Sequence, residues 1–174
     1  MKKGRTNLDY LVSARSLVSK VTFHEAVWLF PPSFILHVLE EWPRFTSWAQ
    51  RYASPLYSQQ DYETIHIAGI IGSIVFATIV WMFPVRAVVF VFFAFVLAPG
   101  LFFDVLFHAG ATVVTSEYCP GVITALTLYL PVFLLLCRLA WSENLLNAPT
   151  LISGLVIAGA FHTWEVGHNV FKAW

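Results

Sequence analysis

Residues 87–108 read AVVFVFFAFVLAPGLFFDVLFH, and this stretch decides the fold. Roughly 20 consecutive apolar residues are enough to cross a bilayer as a helix. The run stays free of ionisable side chains until Asp104 and His108 near its end. It therefore predicts a transmembrane helix, with a break where Pro99 and Gly100 interrupt it.

The composition of the whole chain indicates the same class of protein. Of 174 residues, 58% are hydrophobic and 11% are charged, and the mean hydropathy is +0.71. Soluble domains contain about 25% charged residues. We therefore predict an all-α, polytopic membrane helical bundle that forms a single domain over residues 1–174. A formal net charge of zero argues against a nucleic-acid partner, and the bilayer is the partner that the composition implies.

Four further apolar runs have a length close to that of a membrane span. The sequence thus predicts about five transmembrane helices, over residues 22–40, 64–82, 87–108, 121–140 and 149–171. Residues 1–21 are basic and amphipathic, which predicts a cytosolic lead-in. The aromatic loop 41–63 predicts a cover at the membrane interface.

The distribution of lysine and arginine predicts the orientation, because these residues concentrate on the cytoplasmic side. Placing the N-terminus in the cytoplasm and the C-terminus outside leaves three basic residues on the outer side, namely Arg44, Arg51 and Lys172. The other seven then lie on the inner side: Lys2, Lys3, Arg5, Arg15, Lys20, Arg86 and Arg138.

Ionisable side chains recur at the outer ends of four predicted spans. Such groups are costly in a membrane and indicate function. Counting about 1.5 Å per residue, those of the first, third and fifth spans lie about 20–25 Å from the inner surface. The sequence therefore predicts that these side chains lie in one layer of the membrane, namely His37, Glu40, Glu41, His66, Asp104, His108, His162, Glu165 and His168.

Helical spacing places several of these groups in pairs. His37 and Glu41 are four residues apart, as are Asp104 and His108, so each pair shares a helix face. Imidazoles and carboxylates from neighbouring helices are common ligands for zinc, iron or manganese. A carboxylate beside a histidine can equally orient that ligand or act as a general base. A hydrogen-bonded network that only closes the bundle is the structural alternative.

Two segments resemble a known family. HVLEE at 37–41 and FHAGATVVTSEYCPGVITALTLYLP at 107–131 are similar to the bacterial integral-membrane HXXEE-domain family. Its His-x-x-Glu-Glu signature corresponds to His37, Glu40 and Glu41. Its later segment, a histidine followed by Tyr-x-Pro-Gly-x-x-Thr-Ala, corresponds to His108, Tyr118, Pro120, Gly121, Thr124 and Ala125. The resemblance implies a bacterial inner-membrane protein and directs attention to His37, Glu40, Glu41 and His108, but it implies no activity.

Together these observations predict a metal-dependent membrane enzyme, either a hydrolase or an oxidoreductase, that acts on a lipid or another hydrophobic small molecule. The predicted ligands of a divalent metal (zinc, iron or manganese) are His37, Glu41, His66, Asp104 and His108. The predicted catalytic groups are Glu40, Tyr118 and Glu165. The alternatives are an ion, metal or proton transporter and an accessory membrane subunit with a structural His/Glu cluster.

Overall fold

The computed structural model describes residues 21–173, and over that range it consists of helices joined by turns and loops, with no strand. The predicted lead-in therefore lies outside the described residues, apart from Val21. Helix α1 is continuous but has three segments, Phe23–Ala26, the 3-10 turn Val27–Leu29, and Phe30–Glu41. The others are α2 (Phe45–Tyr52), α3 (Gln59–Met82), α4 (Arg86–Thr115), α5 (Val122–Ser142) and α6 (Ala148–Asn169).

The all-α prediction is confirmed, and three helices are long and apolar enough to cross a membrane, which is consistent with a membrane protein. These are α3, α4 and α5, with mean hydropathies of 2.1, 2.4 and 2.1. The prediction of about five spans is not confirmed. In α1 a 3-10 turn precedes Pro31, and the helical segment that follows has 12 residues. In α6 the polar side chains of His162 and Glu165 lower the hydropathy of a 22-residue helix.

The most apolar span runs unbroken through its proline. Within α4, residues Phe93–Phe103 adopt π-helical geometry around Pro99, and a regular α-helix resumes at Asp104. Proline has no N–H to donate, and a π segment absorbs that local mismatch without ending the helix. The predicted break at Pro99–Gly100 is therefore wrong, and Asp104 and His108 stay on one continuous helix.

Two hydrophobic clusters adjoin the region where the polar residues meet. The larger one includes Phe30, Leu97 and Tyr129, whose ring stacks on that of His37. The smaller one includes Tyr62 and Phe45, whose ring lies next to that of His108. The polar groups between the clusters are thus surrounded by apolar side chains, which strengthens electrostatic interactions among them.

The packing of the long helices leaves a gap in the bundle. Helix α3 packs on α1 and on the first turns of α4, whereas α6 packs mainly along the π segment of α4. Helices α3 and α6 make few direct contacts with each other. The outward face of α3 is aliphatic, as expected of a surface in contact with lipid; its exposed residues include Ile67, Ile71, Ile74, Val75 and Ile79.

Candidate metal centre

Four polar side chains from two helices converge between the two hydrophobic clusters. Helix α1 contributes His37 and Glu41, and helix α4 contributes Asp104 and His108. The Nε2 atom of His37 lies 3.6 Å from Glu41 Oε1 and 3.3 Å from Asp104 Oδ2. The Nε2 atom of His108 lies 3.3 Å from the same Glu41 oxygen and 3.4 Å from the same Asp104 oxygen.

These separations match those between two ligand atoms of one metal ion. Hydrogen bonds between charged nitrogen and oxygen groups measure about 2.7–2.9 Å, which is shorter than any of the four. Two ligands at about 2.0–2.2 Å from one ion, at a tetrahedral angle, lie about 3.3–3.6 Å apart. The spacing around this cluster therefore matches the room that an ion needs.

The state of Asp104 supports the same interpretation. Its Oδ2 atom is buried and has no hydrogen-bond partner among the described residues, although it lies close to both imidazoles. A buried carboxylate oxygen without a partner is energetically costly. The ligand atoms of His37, Asp104 and His108 all lie within 4.8 Å of one another, so this buried group could hold a metal ion.

The far nitrogen of His37 is held by Thr124 on α5. His37 Nδ1 and Thr124 Oγ1 are 2.9 Å apart, and the threonine hydroxyl donates its proton to Glu40. Because a hydroxyl has one proton, Thr124 accepts from His37, which assigns the imidazole proton to Nδ1. The lone pair of Nε2 is then directed at the cluster, as a metal ligand requires.

His108 is oriented in a similar way by a thiol. Its Nδ1 atom lies 3.3 Å from Cys119 Sγ, and that thiol also faces the carbonyl of Pro120. Burial raises the pKa of the Cys119 thiol, so the group keeps its proton. The thiol donates to Pro120 and accepts from His108, which again leaves Nε2 free to bind an ion.

His66 meets the cluster through Glu41, whereas the other two histidines also approach Asp104. Its Nε2 atom is 2.9 Å from Glu41 Oε2, and its Nδ1 atom is 2.7 Å from the carbonyl oxygen of Tyr62. Both ring nitrogens thus face acceptors, which fits a doubly protonated imidazolium that donates to each. Glu41 is anchored through Oε2 by His66, while its Oε1 atom points toward His37 and His108.

Comparison with known proteins gives one match. A family described as "Protein of unknown function with HXXEE motif" matches residues 28–136. The chain belongs to the HXXEE family. Neither the curated proteins nor the solved structures yield a match.

Within the HXXEE motif the two glutamates face different partners. Whereas Glu41 enters the cluster, Glu40 accepts hydrogen bonds from the backbone N–H groups of Gly121, Ile123 and Thr124, at 3.2, 3.1 and 2.7 Å. The hydroxyls of Thr124 and Tyr118 also donate to it. Glu40 therefore fastens the start of α5 to α1.

Tyr118 takes part in this anchorage. Burial and the hydrogen bond to Glu40 raise the pKa of Tyr118 to about 12. The phenol therefore stays protonated at neutral pH and continues to donate. Neither Tyr118 nor Glu40 lines the cavity beside the cluster, which favours a positioning role for both over the predicted proton transfer.

A side chain is excluded at the position after Pro120, within the segment that matches the HXXEE family. Gly121 has a φ of 100°, in the left-handed region that favours glycine. A Cβ atom at this position would lie 2.7 Å from His37 Cε1 and 2.8 Å from His108 Cε1. The bare backbone of Gly121 thus allows both imidazoles to approach each other.

A cavity of about 340 Å³ adjoins the cluster. His37, Glu41, Asp104 and His108 form part of its wall. Helix α6 contributes His162 and Glu165 to the same wall, and His162 Nε2 is buried without a hydrogen-bond partner among the described residues. The α6 groups lie outside the part of the chain that matches the HXXEE family.

Most of the sequence-predicted site residues therefore come together. His37, Glu41, Asp104 and His108 meet directly, His66 touches Glu41, and Glu165 lines the same cavity. Sequence reasoning did not find the roles of Tyr62, Cys119 and Tyr129. The rings of His37 and Tyr129 stack with centroids 4.4 Å apart, and the Tyr62 hydroxyl donates to the carbonyl of Val38. No spacing pattern marks such contacts between distant segments.

Proposed function

We propose that the chain is a metal-dependent membrane enzyme that hydrolyses a lipid or another hydrophobic small molecule. One observation carries the proposal: two imidazole nitrogens and two carboxylate oxygens converge at 3.3–3.6 Å beside an apolar cavity. A closed structural network would instead pair its buried polar atoms at hydrogen-bond distance.

The proposed ligands are His37, Glu41, Asp104 and His108. Two imidazoles with two carboxylates suit zinc, iron(II) or manganese(II). When bound, such an ion supplies Lewis acidity, which polarises a carbonyl group and activates water. His66 acts as the hydrogen-bond partner that fixes Glu41, in place of the direct ligand role that its position in the sequence predicts.

The groups on α6 are suited to proton transfer. Glu165 and His162 line the same cavity as the cluster, so a substrate bound in this cavity could contact both groups of side chains. A carboxylate and an imidazole are the usual general bases and acids in enzymes. We assign the proton transfer to Glu165, with His162 beside it on the same helix face.

An oxidoreductase is the second candidate, because three of the four proposed ligands form a set that such enzymes use. His37, His108 and Asp104 form a group of two histidines and one carboxylate. Such a set with open positions is typical of non-haem iron(II) oxygenases. Activity that requires iron and molecular oxygen would favour this class over the hydrolase.

The hydrogen bond from Thr124 to His37 predicts a measurable loss of metal affinity. Thr124→Val preserves the shape of the side chain but removes the hydroxyl that fixes the imidazole. Loss of such an outer partner lowers metal affinity by about 10–100-fold, which can be measured by competition with a chelating dye. Thr124→Ser keeps the hydroxyl and is the matched control. Equal affinity in all three proteins would contradict the proposed orientation of His37.

The proposed hydrolytic activity is tested by a turnover assay. Wild type and Asp104→Asn, each purified in detergent and supplied with zinc, manganese or anaerobic iron(II), are incubated with fractionated lipid extracts. Mass spectrometry then detects products. We expect product formation that depends on metal and is lost in Asp104→Asn. A wild type that binds metal but converts no component of any extract would contradict the proposal.

A further inference from the structure

The cavity beside the cluster is polar at one end and apolar at the other. On α3 its wall runs from His66 at the polar end to Phe76, and on α4 from His108 to Phe95. The ten residues between His66 and Phe76 correspond to about 15 Å along a helix. The apolar part of the cavity, here called the arm, thus extends from the ligand cluster along α3 toward Phe76.

Of the three glycines in this arm, Gly72 is the one that faces open space. Gly69, Gly72 and Gly100 all line it. A Cβ atom at Gly72 would meet nothing within 4 Å, which shows open space beside the helix. Gly69 faces the ring of Phe34 at close range. A slender chain therefore fits along α3, where bulkier residues would close the arm.

The arm opens to the surface of a membrane-crossing helix. Ala68, Phe76 and Phe95 line the cavity and are also exposed. They lie on α3 and α4, both of which are long and apolar enough to span a bilayer. The mouth therefore faces hydrocarbon, in the gap where α3 and α6 make few contacts.

Residues that follow α6 contact the region around the start of α3, beside the polar end of the cavity. Lys172 pairs with Asp61 at 3.0 Å and lies 5.9 Å from the ring centroid of Tyr57. Val170 lines the cavity and packs against the smaller hydrophobic cluster. These contacts cover part of the polar end, and the lateral opening between α3 and α6 offers a large ligand a route from the bilayer.

We propose that the ligand of this cavity is a single-chain amphiphile. It enters from the bilayer between α3 and α6, places its polar head at the four-residue cluster, and lays one hydrocarbon chain along Gly72 toward Phe76. This assignment rests on the proposed metal site and names the class of substrate for it. A volume of about 340 Å³ lies near the lower end of ligand pockets, about 300–1,000 Å³, which favours one chain over two.

Two hydroxamate probes test this assignment on the full chain, because a hydroxamate head binds divalent metals. The first is acetohydroxamate, which has a head but no chain. The second carries a long unbranched chain ending in a photoreactive diazirine. Binding of the heads is followed by the visible spectrum of the cobalt(II)-substituted protein. The position of the chain end is read by mass spectrometry of the labelled peptides.

The matched variants are Gly72→Leu and Gly110→Leu. Both glycines lie within membrane-crossing helices with open space around a Cβ, but Gly110 is exposed and does not line the cavity. In wild type we expect the chain end to label the peptide around Phe76 or Phe95. Gly72→Leu reduces that labelling at least about tenfold by filling the arm, while metal content and acetohydroxamate binding persist. Gly110→Leu behaves as wild type.

The other outcomes separate the two proposals. The single-chain assignment is overturned if both heads bind in a metal-dependent way but the label falls on other peptides, or if labelling is unchanged in Gly72→Leu. In either case the proposed metal site still stands. Labelling of the arm that persists after metal removal overturns the placement of the head. Absence of a cobalt spectrum and of binding by either head overturns the proposed function and the ligand assignment with it.

Discussion

We expect His108→Ala to bind divalent metal at least about 100-fold more weakly than wild type. Structural zinc sites with four protein ligands are worth about 10–16 kcal/mol, so each ligand carries on the order of 3 kcal/mol. Because each 1.4 kcal/mol is about tenfold in affinity, loss of one imidazole weakens binding by about 100-fold. The measurement is metal content by mass spectrometry after dialysis, together with competition against a chelating dye.

Two further variants separate metal loss from unfolding. His24→Ala removes a histidine near the opposite end of α1, where its imidazole lies 3.1 Å from the hydroxyl of Thr22, and should keep full metal content. Asp104→Asn keeps the volume of the aspartate but removes its charge. We expect it to lose metal as His108→Ala does while retaining its helical circular dichroism. Full metal content in both His108→Ala and Asp104→Asn would contradict the assigned ligands.

Gly121→Ala has the second large expected effect, on stability and metal binding together. An L-residue in the left-handed region costs about 1–2 kcal/mol, and overpacking adds about 1–3 kcal/mol. The new Cβ would lie 2.7–2.8 Å from ring atoms of His37 and His108, so the imidazoles must move apart. We expect a lower midpoint of thermal unfolding in detergent and loss of stoichiometric metal.

Two substitutions show which of these causes acts on the site. Gly121→Asn accommodates the positive φ better than alanine does but adds the same Cβ, so it should lose metal as Gly121→Ala does. Gly110→Ala adds a Cβ in open space within α4 and should leave metal content unchanged. Retention of metal by Gly121→Asn would show that the backbone, and not the contact with the imidazoles, accounts for the alanine phenotype.

The composition and helical spacing were enough to predict the bundle and the centre of the cluster. His37 with Glu41, and Asp104 with His108, are each four residues apart, so each pair points the same way whatever the exact helix ends are. The number of spans was harder to predict from apolar length. The prolines of α1 follow a 3-10 turn, and the polar residues of α6 that reduce its hydropathy are those that line the cavity.

The different contacts of the two glutamates could not be predicted from the sequence. Glu40 and Glu41 are adjacent, and only the packing of α5 against α1 decides which one meets the backbone of Gly121 and Thr124. The contact of Cys119 with His108 likewise depends on the turn after α4, where Ser116 has a φ of 54°. Such contacts join segments far apart in the chain, so local patterns do not reveal them.

The most direct test is the metal content and X-ray absorption spectrum of the purified wild type. The protein is loaded in turn with zinc, manganese and anaerobic iron(II), and is then dialysed. We expect at least one of these metals to remain at about one ion per chain, with two imidazoles and carboxylate oxygens at about 2.0–2.2 Å. A folded wild type that retains none of the three metals, or one whose bound ion lacks imidazole ligands, would contradict the account.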